Sequence, residues 1–264
     1  MKKVDNYEMQ GSRHSMEDVS LIKNIELYGE QCLLLAVFDG HGGDTISMLA
    51  SEMLEDELIL SSKNIPSIQE CIEDAFMNID EKLNNKLKIL NLYIQPGSTA
   101  VVCIVFDNKY ICANIGDSRA VLYREDEIIP LSRDHKPNDP IERERIEKTN
   151  ARLSCWYGNV TRVDGLAVSR AFGDFNHKKQ DSLPLKEQSV IAFPEIKFVD
   201  KTENDKFIVI GCDGLWDVFN NKDVKLEVEN YMKKDNSEKI SEILVKKAYK
   251  RGSQDNISCI ILFL

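Results

Sequence analysis

Four aspartates stand where an apolar run meets a turn. Asp39 follows the apolar run in LLLAVFDGHGG, Asp213 follows the one in KFIVIGCDGLWD, Asp117 lies just past YICANI, and Asp255 precedes NISCIILFL. Burying one unpaired carboxylate is costly enough that the group takes up a proton or acquires a partner. The simple interpretation of each residue is a turn, because Asp-Gly is a common turn pair. The repetition at strand ends instead predicts one cleft in which these carboxylates converge.

The ligand types around these aspartates indicate which cation would suit them. Carboxylates that lie close together do not all stay ionised unless cations are present. The surroundings are rich in oxygen, contain one nearby histidine, and contain no CxxC pair among the 7 cysteines. Such a set suits Mg²⁺ or Mn²⁺ and does not suit Zn²⁺. Two such ions about 3.5–4 Å apart support an in-line displacement at phosphorus.

An arginine and a histidine near the same motifs extend this chemistry. Arg13, in GSRHSMED, carries a planar guanidinium that matches phosphate oxygens in a bidentate way. A surface ion pair is the alternative for Arg13. His41 lies where a helix is predicted to begin, and a histidine can protonate a leaving alkoxide near neutral pH. A purely structural histidine is the alternative for His41.

Apolar runs of strand length make up the middle of the chain and its end. They cover 31–38, 100–106, 109–115, 119–125, 206–212 and 256–264. Asp107-Asn108 predicts a hairpin and EDE at 125–127 predicts the next one, so this middle region is predicted to be an antiparallel meander.

Helical periodicity appears on both sides of this central block. It covers 44–58, 67–90, 222–233 and 237–250, with Ser237 as a predicted N-cap. This order favours antiparallel sheets covered by helices over a repeating βαβ arrangement. No linker is apparent, so a single domain over 1–264 is expected. The polar stretch 174–195, with two prolines, predicts a long functional or mobile loop.

Composition excludes several classes of protein. A net charge of −10 disfavours binding to nucleic acid. No run reaches the roughly 18 apolar residues that would span a membrane, and the N-terminus lacks the apolar core of a signal peptide. Most cysteines lie inside apolar runs and are interpreted as core residues of a reducing compartment, so a cytoplasmic or nuclear location is expected. The cysteines on which this rests are Cys32, Cys103, Cys112, Cys212 and Cys259.

Eight motifs, in order along almost the whole chain, resemble the type 2C protein phosphatases, the metal-dependent protein phosphatase family. They are GSRHSMED, VFDGHGG, GSTA, NIGDSRAV, DHKP, LAVSRAFGD, CDGLWDV and SQDNIS. Any one alone is weak, but eight at family-like spacing are specific. One departure is DGLAVSR, which is one residue shorter than the family pattern near Gly165. The resemblance implies an α+β fold, a four-layer α-β-β-α sandwich with two central antiparallel sheets flanked by helices. It also implies a flap at about 174–195 beside the active site.

The resemblance implies a role for each candidate residue. Asp39 would bridge two metal ions and Gly40 would bind through its backbone carbonyl. Arg13 would bind the phosphate and His41 would act as the general acid. Asp213 and Asp255 would be direct metal ligands, and Glu17 would bind metal-bound water. Asp18 and Asn256 would support the ligands from the outer shell. Asp117 and Asp217 would form a weaker third metal site.

The implied activity is hydrolysis of phosphoserine and phosphothreonine in phosphoproteins, by direct attack of metal-bound water. Two Mg²⁺ or Mn²⁺ ions are expected per active site, with a weaker third ion. No cysteine lies in a C-x₅-R loop, which counts against cysteine phosphatases. Two alternatives remain: an inactive pseudophosphatase that binds phosphoproteins or a kinase, and a two-metal enzyme acting on phosphodiesters or nucleotides. A monomer is expected, with a dimer as the alternative.

Overall fold

Two five-stranded antiparallel sheets lie face to face in the computed structural model, which describes residues 3–90, 96–156, 159–180, 182–233 and 239–264. The first sheet contains, in spatial order, β1 (Lys3–Met9), β15 (Ile257–Phe263), β14 (Asp205–Gly211), β8 (Arg119–Arg124) and β9 (Ile128–Pro130). The second contains β13 (Glu195–Asp200), β7 (Lys109–Ile115), β6 (Ala100–Val105), β3 (Glu30–Phe38) and β2 (Val19–Leu27). Two small sheets are formed by β12 (Phe172–Gly173), β5 (Gly97–Ser98) and β4 (Gly40–His41), and by β10 (Leu153–Trp156) and β11 (Asn159–Val163).

Helices cover the outer face of each large sheet. The second sheet packs against α1 (Thr45–Asn64) and α2 (Ile68–Leu90). The first packs against α4 (Asp213–Trp216), α5 (Asn221–Met232) and α6 (Ile240–Lys250). A short helix, α3 (Pro140–Ile146), and two 3₁₀ turns at Phe175–His177 and Leu185–Glu187 lie outside these layers. Within the described ranges, no helix combines the length and the apolar character needed to cross a membrane.

Alternation along the strands divides the core into three layers. In β3, Leu35 and Val37 face the other sheet and pack in one buried cluster with Ile208 of β14, while Phe38 packs on the helix side with Ile46 of α1. Each fully buried aliphatic or aromatic side chain stabilises the fold by about 1.5–3 kcal/mol relative to exposure. The four-layer α-β-β-α sandwich predicted from the sequence is confirmed.

Strand register brings the strand ends of both sheets to one edge of the sandwich. In the first sheet, Gly211 at the end of β14 pairs with Arg119 and Cys259. In the second sheet, Ala100 pairs with Ile115, the last residue of β7. The aspartates that flank these paired ends therefore emerge together; they are Asp39, Asp117, Asp213 and Asp255.

The predicted strands and helices are present, with three corrections. The predicted meander is wrong, because β7 and β8 belong to different sheets and the chain crosses between them at 116–118. Helix α1 continues past the predicted end at 58 to Asn64, since buried Leu58 and Ser61 extend its inner face up to the turn before Pro66. Helix α6 begins at Ile240, and the predicted N-cap Ser237 lies outside the described residues.

Several elements were not predicted from the sequence. Strands β1, β2 and β13 are outer strands of the large sheets and have mixed burial, so no continuous apolar run marks them. Helix α3 does carry a readable signal, since the Asp139 side chain accepts hydrogen bonds from the N–H groups of Ile141 and Glu142, and Pro140 follows as the first helical residue. The five cysteines interpreted as core residues are all buried.

The segment from α3 to residue 190 has an apolar cluster of its own. Its buried members are Ile146, Val163, Val168, Ala171 and Val190. The segment is also held by a buried carboxylate, Glu142, which accepts hydrogen bonds from Arg170 Nη2 at 2.5 Å, from Arg145 Nη1 at 2.7 Å and from Ser169 Oγ at 2.9 Å. Burial alone would raise the pKa of Glu142, but the hydrogen bonds and charges of Arg170 and Arg145 outweigh it and lower the pKa from 4.5 to about 2.

We expect Glu142→Gln to lower the free energy of unfolding at pH 7 by about 3–5 kcal/mol, because it leaves two largely buried guanidinium groups without their counter-charge. Since the folded-state pKa is depressed, the contribution of Glu142 is fully present above pH 4.5 and is lost as the pH falls through about 2. The difference between wild type and variant should therefore shrink across that interval in urea unfolding curves. Glu144→Gln, which removes the exposed partner of Lys148, is the control and should change little. Equal losses for the two variants would contradict the role given to Glu142.

Candidate metal centre and active site

The strand-end aspartates line one cleft of about 220 Å³. Carboxylate oxygens of Asp39, Asp117 and Asp213 all lie within 4.8 Å of one another. Asp255 lines the same cleft, together with Gly40 and His41. The structure thus brings together the four aspartates that the sequence placed at strand ends. Arg162 and residues 166–168 also line the cleft.

The electrostatics of these carboxylates are unfavourable without a cation. Burial, followed by the charges of Asp18 and Asp213, raises the pKa of Asp39 well above its ordinary value. Burial and the charges of Asp117 and Asp255 raise the pKa of Asp213 to about 8. Hard divalent cations prefer oxygen ligands of this kind. The residues present therefore fit the divalent ions that the sequence resemblance implies.

A thiol also approaches the cleft, and its state argues against a soft metal. Cys212 Sγ lies within 4.8 Å of carboxylate oxygens of Asp18 and Asp39. Burial and those two negative charges raise the pKa of Cys212 well above its ordinary value. The sulfur is already engaged, accepting a hydrogen bond from the Ser258 N–H and donating one to the Asn256 carbonyl. A protonated, engaged thiol is a poor ligand, because the thiolate is the form that binds metals.

Gly40 is fixed by close packing of its backbone. A Cβ at this position would lie 2.4 Å from the Glu17 carbonyl oxygen and 2.8 Å from Ser47 Oγ. Ser47 Oγ donates to that same carbonyl at 2.6 Å, which ties the first turn of α1 to the segment before β2. The Asp39 carbonyl accepts a hydrogen bond from the Thr99 N–H at 2.9 Å. The backbone carrying Asp39 and Gly40 is therefore held on two sides.

Asn256 holds the loop that carries Arg13 and Glu17. Its Nδ2 donates to the carbonyls of Gln10 and Ser15 at 2.8 and 2.9 Å, and its Oδ1 accepts from the Glu17 N–H at 2.8 Å. The Glu17 carboxylate accepts from the Gly43 N–H at 3.0 Å. Asn256 and Glu17 thus join the N-terminal loop, the last strand and the start of α1.

Asp18 and Asp217 flank the cleft at different depths. Asp18 is buried and accepts a hydrogen bond from Ser258 Oγ at 2.7 Å, while burial raises its pKa to about 6. Asp217 is exposed, one helical turn after Asp213, and its N–H donates to the Asp213 carbonyl at 2.8 Å. Its charge contributes to the raised pKa of Asp213.

Arg13 lies at the mouth of the cleft and contacts one of its carboxylates. Its Nη2 donates to Asp255 Oδ2 at 2.5 Å, and 57% of its side chain is exposed. The ion pair given above as the alternative for Arg13 therefore exists, but the partner of Arg13 in it, Asp255, is a residue of the cleft. An exposed guanidinium at this place can contact an incoming anion with its remaining N–H groups.

His41 is paired with a buried aspartate that sequence reasoning gave no role. His41 Nε2 lies 2.7 Å from Asp174 Oδ2, and Asp174 is 2% exposed with a left-handed backbone at φ +48°. A Cβ on Gly97 would lie 2.2 Å from Asp174 Oδ2 and 2.4 Å from His41 Nε2, so only glycine leaves room for the contact. Burial lowers the pKa of His41, but the hydrogen bond and charge of Asp174 outweigh it and raise the pKa. Because the protonated ring carries N–H on both nitrogens and Asp174 engages Nε2, Nδ1 is the nitrogen left to donate.

Four residues near the cleft had no role in the sequence analysis. Three lie inside motifs noted there: Thr99 in GSTA, Lys136 in DHKP and Asp174 in LAVSRAFGD. Arg162 lies outside all eight motifs and had no signal. Of the stretch predicted as a flap, 174–195, Asp174 contacts the site, whereas the cleft wall comes from earlier residues. An influence of the flap on substrate choice stays a prediction.

A family model described as protein phosphatase 2C matches residues 2–257. The chain belongs to this family. Protein phosphatase 2C 1 of Paramecium tetraurelia is 33% identical over 284 residues, covering 97% of this chain and 90% of the relative. Probable protein phosphatase 2C 71 of Arabidopsis thaliana is 39% identical over 254 residues, covering 96% of this chain. The chain spans about half of that plant relative, 53% of its length.

Solved structures show the same fold. A phosphatase from a pathogenic strain of Toxoplasma gondii superposes with a TM-score of 0.84 at 25% identity, over 100% of this chain and 92% of that one. A sex determining protein of C. elegans gives 0.87 at 29% identity, over 99% of this chain and 64% of that one. The protein phosphatase 2C resemblance and the α+β fold predicted from the sequence are both confirmed.

Proposed function

We propose that this member of the protein phosphatase 2C family hydrolyses phosphoserine and phosphothreonine in phosphoproteins with the help of divalent cations. The observation that carries the proposal is the group formed by Asp39, Asp117 and Asp213, whose carboxylate oxygens lie within 4.8 Å of one another in an open cleft. The family supports metal-dependent phosphatase chemistry. The net charge of −10 argues against a polyanionic substrate such as a nucleic acid.

Each member of the oxygen-rich set has a proposed part in holding the ions. Asp39, the Gly40 carbonyl, Asp213 and Asp255 would hold two Mg²⁺ or Mn²⁺ ions, with Glu17 beside them. Asp18 and Asn256 would support these ligands, and Asp117 with Asp217 would serve a weaker third ion. When bound, such ions polarise water and offset the charge of a phosphate group.

Arg13 and His41 would act on the substrate itself. Arg13 would turn from Asp255 to the phosphate oxygens and orient them, because its guanidinium matches two oxygens at once. His41, whose protonated form is favoured by Asp174, would give its Nδ1 proton to the departing serine or threonine oxygen. Monomeric state and a cytoplasmic or nuclear location stay predictions.

Asp39→Asn should abolish hydrolysis of a phosphothreonine peptide at any Mn²⁺ concentration, because the variant loses the charge at the centre of the cluster. Wild-type turnover should require Mg²⁺ or Mn²⁺ and stop in EDTA. Release of inorganic phosphate is the measurement. Asp44→Asn is the matched control, since Asp44 is exposed at the start of α1 and its side chain makes no capping hydrogen bond.

Two results would count against the proposal. Retained turnover in Asp39→Asn would remove Asp39 from the ion site. Folded wild-type protein that binds the peptide but releases no phosphate at any Mn²⁺ concentration would favour the pseudophosphatase, and hydrolysis of phosphodiesters in its place would favour the two-metal nuclease-like enzyme.

His41→Ala should reduce kcat on the phosphothreonine peptide by about a hundredfold or more, the usual contribution of a general acid. It should affect para-nitrophenyl phosphate far less, because that phenolate leaves without a proton. Asp174→Asn should likewise reduce kcat on the phosphothreonine peptide far more than on para-nitrophenyl phosphate. His177→Ala is the control, because His177 faces Asp164 at 4.0 Å and not the cleft. Equal losses on both substrates in His41→Ala would refute the general-acid assignment.

A further inference from the structure

The ammonium group of Lys136 contacts a carboxylate of the cleft that contains the proposed metal ligands. Lys136 Nζ lies 3.1 Å from Asp117 Oδ2. Only 4% of the Asp117 side chain is exposed, against 38% of the Lys136 side chain. The contact therefore joins a partly exposed cation to a carboxylate that is largely shielded from solvent. Such a pair is stronger than a fully exposed one, because the surroundings of the carboxylate screen it less.

The backbone that carries Lys136 is fixed by its neighbours in sequence. The N–H of His135 donates to the Gly116 carbonyl at 2.8 Å, and the His135 carbonyl accepts from the Ser169 N–H at 3.0 Å. Asp134 accepts two hydrogen bonds from Arg119, at 2.9 and 2.7 Å. These bonds attach the segment before α3 to the crossing between β7 and β8, where Asp117 lies. The side chain of Lys136 thus extends from a backbone segment that these hydrogen bonds hold in place.

The charge of Lys136 acts on the whole acidic group. Asp117, which the ammonium contacts, belongs to the group whose carboxylate oxygens lie within 4.8 Å of one another, together with Asp39 and Asp213. Lys136 therefore supplies positive charge at one side of this group, beside the carboxylate that the proposed function gives to a weaker third ion.

We propose that Lys136 is a built-in counter-cation that competes with a divalent ion for Asp117, and so sets the affinity of that weaker third ion. This inference rests on the proposed function for its metal, but its test does not depend on turnover. An ion that binds Asp117 must displace the ammonium or share the carboxylate with it. While the third ion is absent, Lys136 offsets one of the negative charges in this part of the cleft.

Titration of Mn²⁺ into metal-free protein, followed by calorimetry and by the Mn²⁺ electron paramagnetic resonance signal, tests the competition. In Lys136→Met the weakest binding step should tighten by roughly tenfold, the size expected from removing one unit charge about 3–4 Å away in a partly screened site. The number of tightly bound ions should stay that of wild type. Lys136→Gln should behave like Lys136→Met, which keeps the test valid if one variant folds poorly in thermal unfolding.

Two controls isolate the charge. Lys136→Arg keeps the positive charge and should keep the weak step weak. Lys148→Met removes a lysine charge whose pair with Glu144 is exposed on both sides, at 68% and 73%, and should leave Mn²⁺ binding unchanged.

Three results would overturn the proposal. The Mn²⁺ affinity of the weakest binding step could be unchanged in both neutral variants, or it could be lower in them than in wild type. The third result is an affinity that changes as much in Lys136→Arg as in the neutral variants. Wild-type protein that binds no third ion at millimolar Mn²⁺, together with neutral variants that bind none, would also overturn it. Failure of the proposed function looks different, since wild type would then release no phosphate from the peptide while the binding steps could still respond to Lys136.

Discussion

Repulsion between carboxylates gathered at one edge of the sandwich is the constraint on which the rest of this structure depends. The chain offsets part of it with its own cations, since Arg13 contacts Asp255 and Lys136 contacts Asp117. Asp39 and Asp213 carry the strongly raised pKa values that remain. A fold that tolerates this arrangement offers a set of oxygen ligands suited to divalent cations, which is the chemistry that phosphoryl transfer needs.

The sandwich makes that arrangement rigid. Two central sheets give the strand ends a common edge, and their buried faces fix the register, because a slip of one residue would move every side chain to the opposite face of its sheet. Around the edge, Asn256 and Glu17 tie the N-terminal loop to the last strand and to α1. The proposed ligands therefore come from distant parts of the chain but from well-packed elements, which preorganises the site.

The sequence predicts the centre of the fold better than its borders. Apolar runs and helical periodicity identify the central strands and the long helices, since those elements are buried in a regular pattern. Edge strands such as β1 and β13 are half-exposed and carry no such pattern. The crossing after β7 cannot be read from the sequence, because a short turn between two strands is equally compatible with one sheet or two.

In the site, the strand-end aspartates were visible as a repeated pattern. Asp174 was not, because its contact with His41 joins residues 133 positions apart and depends on a left-handed backbone and on Gly97.

The most direct test of the claim that cations relieve this repulsion is the thermal unfolding midpoint at pH 8, in EDTA and in Mn²⁺, for wild type and Asp213→Asn. A carboxyl whose folded-state pKa is raised from 3.8 to about 8 destabilises the fold progressively as the pH rises between those values. We therefore predict that Mn²⁺ raises the wild-type midpoint by several degrees. We also predict that Asp213→Asn raises the midpoint in EDTA and loses most of the rise with Mn²⁺. A variant that melts lower than wild type in EDTA and still gains the full rise from Mn²⁺ would contradict this account.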